Sequence, residues 1–362
     1  MNNVHNFSAG PAILPNSVIK KAIKELNYGK KYGISILEIS HRSKEFIKIV
    51  EKAEENLREL LKIPKNYKVL FCQGGARTQF AAVPLNIIKK EKKYADYIDG
   101  GYWSNSAIQE AKKFCTPNII PVKYLINNKT SILPMKKWKI KNNSNYIHYC
   151  PNETIEGISI NEEPNFKKKI IVADFSSNIL SYPINIKKYD VIYASAQKNV
   201  GPSGITLVIV NEKIVENVNN DIPSTLNYKI LSSNKSMFNT PPVFSWYLSS
   251  LVFEWLKYNG GIKKIYKINK KKSKIIYNII DSNDFYINNI KSNNRSIINI
   301  TFKLYDKKLD KLFIKEAYKA NLVFLKGHYI IGGVRSSIYN AMSLKSVQYL
   351  ADFMKYFECR YG

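Results

Sequence analysis

The chain has 362 residues, 45% of them hydrophobic and 23% charged, enough to bury roughly three quarters of the unfolded surface in about two domains. This composition excludes disorder, a collagen-like repeat and a coiled coil. The formal net charge is +28, yet the only arginines are Arg42, Arg58, Arg77, Arg295, Arg335 and Arg360. Lysine is spread along the whole chain beside heavy use of Ile, Asn and Tyr, so the charge reads as a solvated coat of an AT-rich coding sequence and not as a nucleic-acid footprint. Where lysine fills every site that needs only a positive charge, the remaining arginines should mark places that need a planar, bidentate fork.

After an irregular arm ending at Gly10-Pro11, apolar residues at helical spacing predict helices over 18–26 and 45–61. From residue 67 the pattern changes. Short apolar runs at 68–71, 95–98, 118–122, 146–149, 170–174, 190–194 and 205–210 predict strands, with helices over 78–88 and 104–114. Such alternation implies a mostly parallel sheet covered on both faces, with ligands at the strand C-terminal ends. Pro241 and Pro242 open a helix carrying Trp246 and Trp255, which stops at Asn259-Gly260-Gly261. Beyond lie a lysine-rich helix over 262–280, a strand over 296–302, a helix over 309–320, a Gly-rich turn and a last helix over 344–357. Residues 16–258 should form a large α/β domain, and 1–15 with 259–362 a smaller α+β domain.

No apolar run reaches the roughly 20 residues of a membrane span, and the N-terminus lacks a secretion pattern. Cys72, Cys115, Cys150 and Cys359 form no CxxC pair and read as free thiols, buried except for Cys359. A cytoplasmic protein with no membrane, metal or nucleic-acid partner is expected.

Three strand ends carry the chemistry. The first runs into Gln73-Gly74-Gly75-Ala76-Arg77 and a helix, either a tight turn or a cradle in which free N–H groups meet a phosphate. The second ends at Asp174. A carboxylate at the exit of a buried strand needs a cation or a solvated loop. The third leads to Ser195-Ala196-Gln197-Lys198-Asn199, closed by Gly-Pro-Ser-Gly before another strand. Desolvation there lowers the amine pKa, which a Schiff-base lysine requires. An amine, an acid and an anion cradle are what pyridoxal phosphate needs.

The segments 6–12, 38–46, 71–80, 102–104, 148–157, 173–178, 194–204, 237–242 and 327–342 (among them EISHRSKEF, HYCPNETIEG, ASAQKNVGPSG and GHYIIGGVRSSIYNAM) closely resemble the phosphoserine aminotransferases. These belong to the class V, fold-type-I pyridoxal phosphate enzymes. The resemblance runs end to end and implies a seven-stranded, mostly parallel sheet between helices. It also implies transfer of the glutamate amino group to 3-phosphooxypyruvate by a ping-pong Schiff-base mechanism in a homodimer with shared sites, and a side activity on the 4-phosphohydroxythreonine pair of vitamin B6 synthesis.

By the same resemblance Lys198 would hold the cofactor and shuttle a proton, and Asp174 would pair with its ring nitrogen. Trp103 would stack on the ring and Thr154 would bond its phenolic oxygen. Ala76, Arg77 and Gln197 would hold its phosphate, completed by Asn239 and Thr240 from the second subunit. Arg335 would take the substrate α-carboxylate. Ala9 would contact the substrate, and His41 with Arg42 from the neighbouring subunit, together with His328 and Arg77, would receive its distal phosphate or carboxylate. Read alone, Trp103 suits a core, Thr154 a turn, and Asn239-Thr240 a helix start. His5 and His148 read as structural. Many relatives carry arginine where this chain has Tyr329, which weakens the expected distal-anion site. Arg58, Arg295 and Arg360 receive no role. A cysteine desulfurase would need a reactive thiol near the site, for which Cys359 is poorly placed.

Overall fold

The computed structural model describes residues 4–27, 33–89, 91, 93–166, 168–219 and 221–362. Its centre is a seven-stranded sheet in the spatial order Tyr67–Gln73, Ile205–Asn211, Val191–Ser195, Ile170–Asp174, Tyr146–Tyr149, Tyr94–Asp99, Thr116–Pro121. All seven predicted runs are present. Ile205–Asn211 alone runs against its neighbours, pairing antiparallel with both Val191–Ser195 and Tyr67–Gln73. The reason is local: the nine residues between Ser195 and Ile205 are too few for a parallel crossover, which takes a dozen or more.

The period of two sorts each strand between two cores. Val69, Phe71, Ile171, Ala173, Ile192 and Ala194 face one hydrophobic layer, which also holds residues of the helices Lys44–Leu61 and Val243–Tyr258. Leu70, Cys72, Val172, Val191 and Tyr193 face the other, with the helices Ala76–Ile87 and Tyr102–Ala111. Both faces are covered, as near-continuous Val/Ile/Ala strands require. Parallel pairing sets Asp174 beside Tyr193, while antiparallel pairing sets Ile205 beside Gln73 and Ser195 beside Thr206. The three chemistry-bearing strand ends therefore meet at one edge of the sheet.

A second, antiparallel sheet of Tyr286–Ile287, Asn299–Leu304 and Val334–Ser337 packs with the helices Gly261–Ile280, Leu309–Lys319 and Leu344–Tyr361 around a separate core. The Val334–Ser337 strand lies where the sequence reads as a Gly-rich turn; its pairing with Asn299–Leu304 overrides the flanking glycines. His5–Asn6 pairs with Leu322–Val323 and Phe7 enters this core, so the N-terminal arm folds with the C-terminal third. Helix Gly261–Ile280 bridges the two units, placing Ile262 and Ile265 in the large core and Ile276 in the small one. Among the described residues no helix is long and apolar enough to cross a membrane.

Candidate active site

Where the strand ends meet lies a cavity of about 350 Å3, bordered by Gly75, Ala76, Arg77, Trp103, Thr154, Asp174, Gln197 and Lys198, with Cys150, Asn152 and Ser176 also in its wall. Lys198 sits in the turn between two buried strands, and that turn is fixed at several points. Ala196 N–H bonds the Ile205 carbonyl at 3.0 Å, and Asn199 Nδ2 bonds the carbonyls of Ser177 and Ile179 at 3.3 and 3.1 Å. Asn199 Oδ1 accepts Asn340 N–H at 3.0 Å, tying the lysine turn to the chain segment after Arg335. A Cβ on Gly201 would fall 2.4 Å from Ser249 Oγ, so only glycine lets the turn settle on the long helix.

The Lys198 side chain is 9% exposed, and its Nζ donates to Thr154 Oγ1 at 2.8 Å. Burial pushes its ammonium pKa down to about 8, with Asp174 opposing and Arg335 assisting that shift. Asp174 is also buried. Desolvation raises its carboxyl pKa, moderated by Ser176, whose N–H donates to Oδ1 at 2.9 Å. The Trp103 ring centroid lies 5.8 Å from Lys198 Nζ and 5.5 Å from Arg77 Cζ, and its buried Nε1 has no hydrogen-bond partner among the described residues. The N-terminal arm closes the other side. Gln197 O accepts Ala12 N–H at 2.8 Å, and a Cβ on Gly10 would lie 3.7 Å from Lys198 Cγ.

Gly75 precedes the helix Ala76–Ile87 with no side-chain cap, leaving the N–H groups of that helix start open to an anion. Ser195 Oγ donates to Gln197 Oε1 beside it. Such a donor set suits an anionic aromatic aldehyde: an amine of lowered pKa, a carboxylate in need of a cation, an aromatic face, and a helix N-terminus with Arg77 nearby.

Other expected site residues lie around this cavity at varying distances. Arg335 Nη1 donates to the Thr154 carbonyl at 3.5 Å. His328 packs 5.4 Å from the Tyr102 ring and 4.4 Å from Tyr329, and Tyr329 is largely exposed. The Ala9 carbonyl accepts from Tyr339 Oη at 2.8 Å. His41 buries an Nε2 with no partner among the described residues, and Arg42 is exposed. Asn239 and Thr240 are exposed and do not border the cavity within one chain. Asn239 lines a separate cleft with Gly74 and Thr78, and the Thr240 carbonyl accepts Gln73 Nε2 at 2.6 Å.

His148 is structural, its Nε2 bonded to Tyr193 Oη at 2.7 Å, and His5 Nδ1 meets Ser346 Oγ at 2.9 Å. Arg295, itself buried, forms a two-point fork on the exposed Asp281 at 2.6 and 2.8 Å, so that arginine too stands where a planar fork is used. Cys72, Cys115 and Cys150 are buried free thiols, and Cys359 is exposed. The sequence reading passed over Asn152, Ser176 and the carboxylates of Glu153 and Glu156. Burial first, then the neighbouring Glu156, raises Glu153 to about 7; burial likewise raises Glu156.

The fold is an α/β sheet covered by helices on both faces, with a buried amine, a buried carboxylate and an uncapped helix N-terminus at one edge. The family model of the class-V aminotransferases matches residues 4–350, and the chain belongs to the phosphoserine aminotransferases of that family. It is 58% identical over 362 residues, the full length of both chains, to the phosphoserine aminotransferase of Buchnera aphidicola subsp. Acyrthosiphon pisum (strain Tuc7). The phosphoserine aminotransferase structure from Bacillus circulans subsp. alkalophilus superposes with a TM-score of 0.97 at 37% identity, covering 100% of each chain. The pyridoxal phosphate-bound enzyme of Trichomonas vaginalis gives 0.91 at 36%, covering 98% of this chain and 100% of the other.

Proposed function

We propose that this chain is a pyridoxal 5′-phosphate-dependent transaminase that moves the amino group of glutamate to 3-phosphooxypyruvate, yielding O-phosphoserine and 2-oxoglutarate for serine biosynthesis. The observation that carries the reading is the buried Lys198 amine sharing one cavity with Asp174 beneath the Trp103 ring. Full-length relatives named phosphoserine aminotransferase support phosphoserine as one partner of the exchange.

When bound, the cofactor supplies an aldehyde that links amines covalently and a protonated ring that draws electrons from the substrate Cα. Lys198 Nζ would hold the aldehyde, and later take the Cα proton of glutamate and return it on the far carbon. Asp174 would keep the ring nitrogen protonated; the cation would in turn offset the desolvation that raises its pKa. Trp103 would cover one ring face, and Thr154 Oγ1, already within hydrogen-bond reach of Nζ, would orient the phenolic oxygen. The phosphate would rest on Ala76, Arg77 and Gln197, completed by Asn239 and Thr240 of the partner subunit in a homodimer. That assignment suits their exposure in the single chain.

Arg335 would clamp the substrate α-carboxylate with Ala9 beside it. His41 and Arg42 of the partner subunit, with His328 and Arg77, would bind the distal anion, and Tyr329 would leave that site one cation short. The same set would accept the 4-phosphohydroxythreonine pair of vitamin B6 synthesis. We assign residues 16–258 to the cofactor domain and 1–15 with 259–362 to the small domain. Three buried free thiols suit a reducing cytoplasm.

The test compares glutamate-dependent amination of 3-phosphooxypyruvate with that of unphosphorylated hydroxypyruvate. The phosphate assignment requires a clear preference for the phosphorylated acid. Equal kcat/KM values for the two would remove it.

A further inference from the structure

Glu153 ends the first strand, and Glu156 lies in the turn, of the small hairpin that pairs Asn152–Glu153 with Ile158–Ser159. Both carboxylates reach the start of the helix Tyr102–Ala111, about 50 positions earlier in the chain. Glu153 Oε2 accepts Trp103 N–H at 2.9 Å, and Oε1 accepts Ser104 N–H at 2.8 Å and Ser104 Oγ–H at 2.6 Å. Glu156 Oε1 accepts Tyr102 N–H at 2.9 Å. Three successive N–H groups that a helix leaves without internal partners are thus held by another element.

This is a costly way to cap a helix, because it brings two acidic groups together out of water where one local Ser or Asp would serve. The residue in the local cap position is Gly101, and a Cβ there would fall 2.6 Å from Glu153 Cγ and 2.9 Å from Glu156 Oε2. Glycine clears the way for the distant carboxylates.

The same hairpin carries Thr154, whose Oγ1 accepts from Lys198 and whose carbonyl accepts from Arg335. Its other end is anchored by Thr301 Oγ1, which donates to the Glu156 carbonyl at 2.8 Å; Thr301 is the register partner of Arg335. One short hairpin therefore touches the backbone of Trp103, the Lys198 amine and the Arg335 guanidinium.

We propose that Glu153 and Glu156 are positioning residues for amino transfer, gripping the backbone of Tyr102, Trp103 and Ser104 so that the indole of Trp103 stands in fixed register with Thr154 and Lys198. This rests on the reading of the cavity as a pyridoxal phosphate site. In Glu153→Gln one carboxylate oxygen becomes an NH2, which meets either Trp103 N–H or Ser104 N–H donor to donor. In Gly101→Ala both carboxylates remain but Glu153 is pushed aside.

The experiment titrates each apoprotein with pyridoxal 5′-phosphate and records affinity, visible circular dichroism, kcat and KM for glutamate, and the apoprotein melting temperature. In both variants cofactor affinity should weaken roughly tenfold, the scale of one charge-assisted hydrogen bond. Visible dichroism and kcat should fall while KM for glutamate holds, since Arg335 is untouched. Glu153→Asp, which keeps the charge, should recover part of the dichroism. Parent-like dichroism and affinity with only a lower melting temperature would overturn the proposal, leaving a plain helix cap. A parent protein that develops no visible band with the cofactor would instead refute the underlying reading, so the two failures are separable.

Discussion

Lys198 Nζ donates to Thr154 Oγ1 at 2.8 Å although the two residues come from different strand ends, and that bond aims an amine of lowered pKa into the cavity beneath Trp103. A hydroxyl can accept from an ammonium or from a neutral amine. Thr154 therefore holds the direction of Nζ in both protonation states, and the electrostatics of the pocket decide which state prevails.

The protonation balance of Lys198 gives the first prediction. Its amine is reactive only when neutral, so capture of pyridoxal 5′-phosphate by the apoprotein should speed up as pH rises, with a midpoint about 8. Asp174 favours the charged amine and Arg335 opposes it, so Asp174→Asn should move the midpoint down and Arg335→Gln up. Stopped-flow absorbance against pH measures all three. A midpoint at the ordinary lysine value, or shifts of the opposite sign, would contradict the electrostatic account.

Asp174→Asn should also depress turnover. An uncharged amide cannot match a ring cation in this buried site, and leaving one partner of a buried pair alone costs about 3–5 kcal/mol. On that scale, kcat should fall by roughly two to four orders of magnitude. Steady-state kinetics on the fully loaded variant checks this; a loss under threefold would remove Asp174 from the ring.

Arg335→Lys keeps the charge and discards the fork. Loss of a two-point carboxylate contact should raise KM for glutamate by about tenfold or more, with cofactor affinity close to that of the parent. Equal KM values for parent and variant would place the carboxylate elsewhere.

Lys272 makes a prediction about stability. It is fully buried, its Nζ donates to the carbonyls of Ile338, Tyr339 and Met342 at 3.2, 2.7 and 3.1 Å, and burial pushes its pKa down to about 7. Between pH 7 and the unfolded lysine value of about 10.4 the unfolded chain binds the extra proton, so this group makes stability rise with pH across that window. Below pH 7 the gain is absent. Urea midpoints at pH 7 and pH 9.5 should rise more steeply for the parent than for Lys272→Met. Parallel slopes would show that Lys272 keeps an ordinary pKa.

Most of the sheet, and the polar strand ends that meet at its edge, were readable because they rest on short-range rules. Apolar runs such as IIVAD and ITLVIV can only be buried strands, and Gln73-Gly74-Gly75, Asp174 and Lys198 interrupt such runs where a parallel sheet puts its ligands. What escaped depends on contacts distant in sequence. Glu153 and Glu156 stood inside a motif noted only for Thr154, and their partners are backbone groups of residues 102–104.

Lys272 was hidden by the lysine bias of its helix, though it falls in a helical series with the buried Ile265, Asn269 and Ile276. The hairpin Lys123–Ile126 with Lys129–Ile132 was also missed. Its turn residues Asn127 and Asn128 are left-handed, with φ of 49° and 58°, and paired asparagines are a turn signal that could have been read. Val334–Ser337 became a strand through its partner Asn299–Leu304, against the local pull of Gly332-Gly333.

The most direct test of the central claim is reduction of the purified, cofactor-loaded protein with borohydride, followed by mass mapping of the modified peptide and the visible spectrum of Lys198→Ala. The account predicts a visible band that borohydride removes, one modified peptide containing Lys198, and no such band in the variant. Modification of a different lysine with Lys198 left free, or an undiminished band in Lys198→Ala, would contradict it.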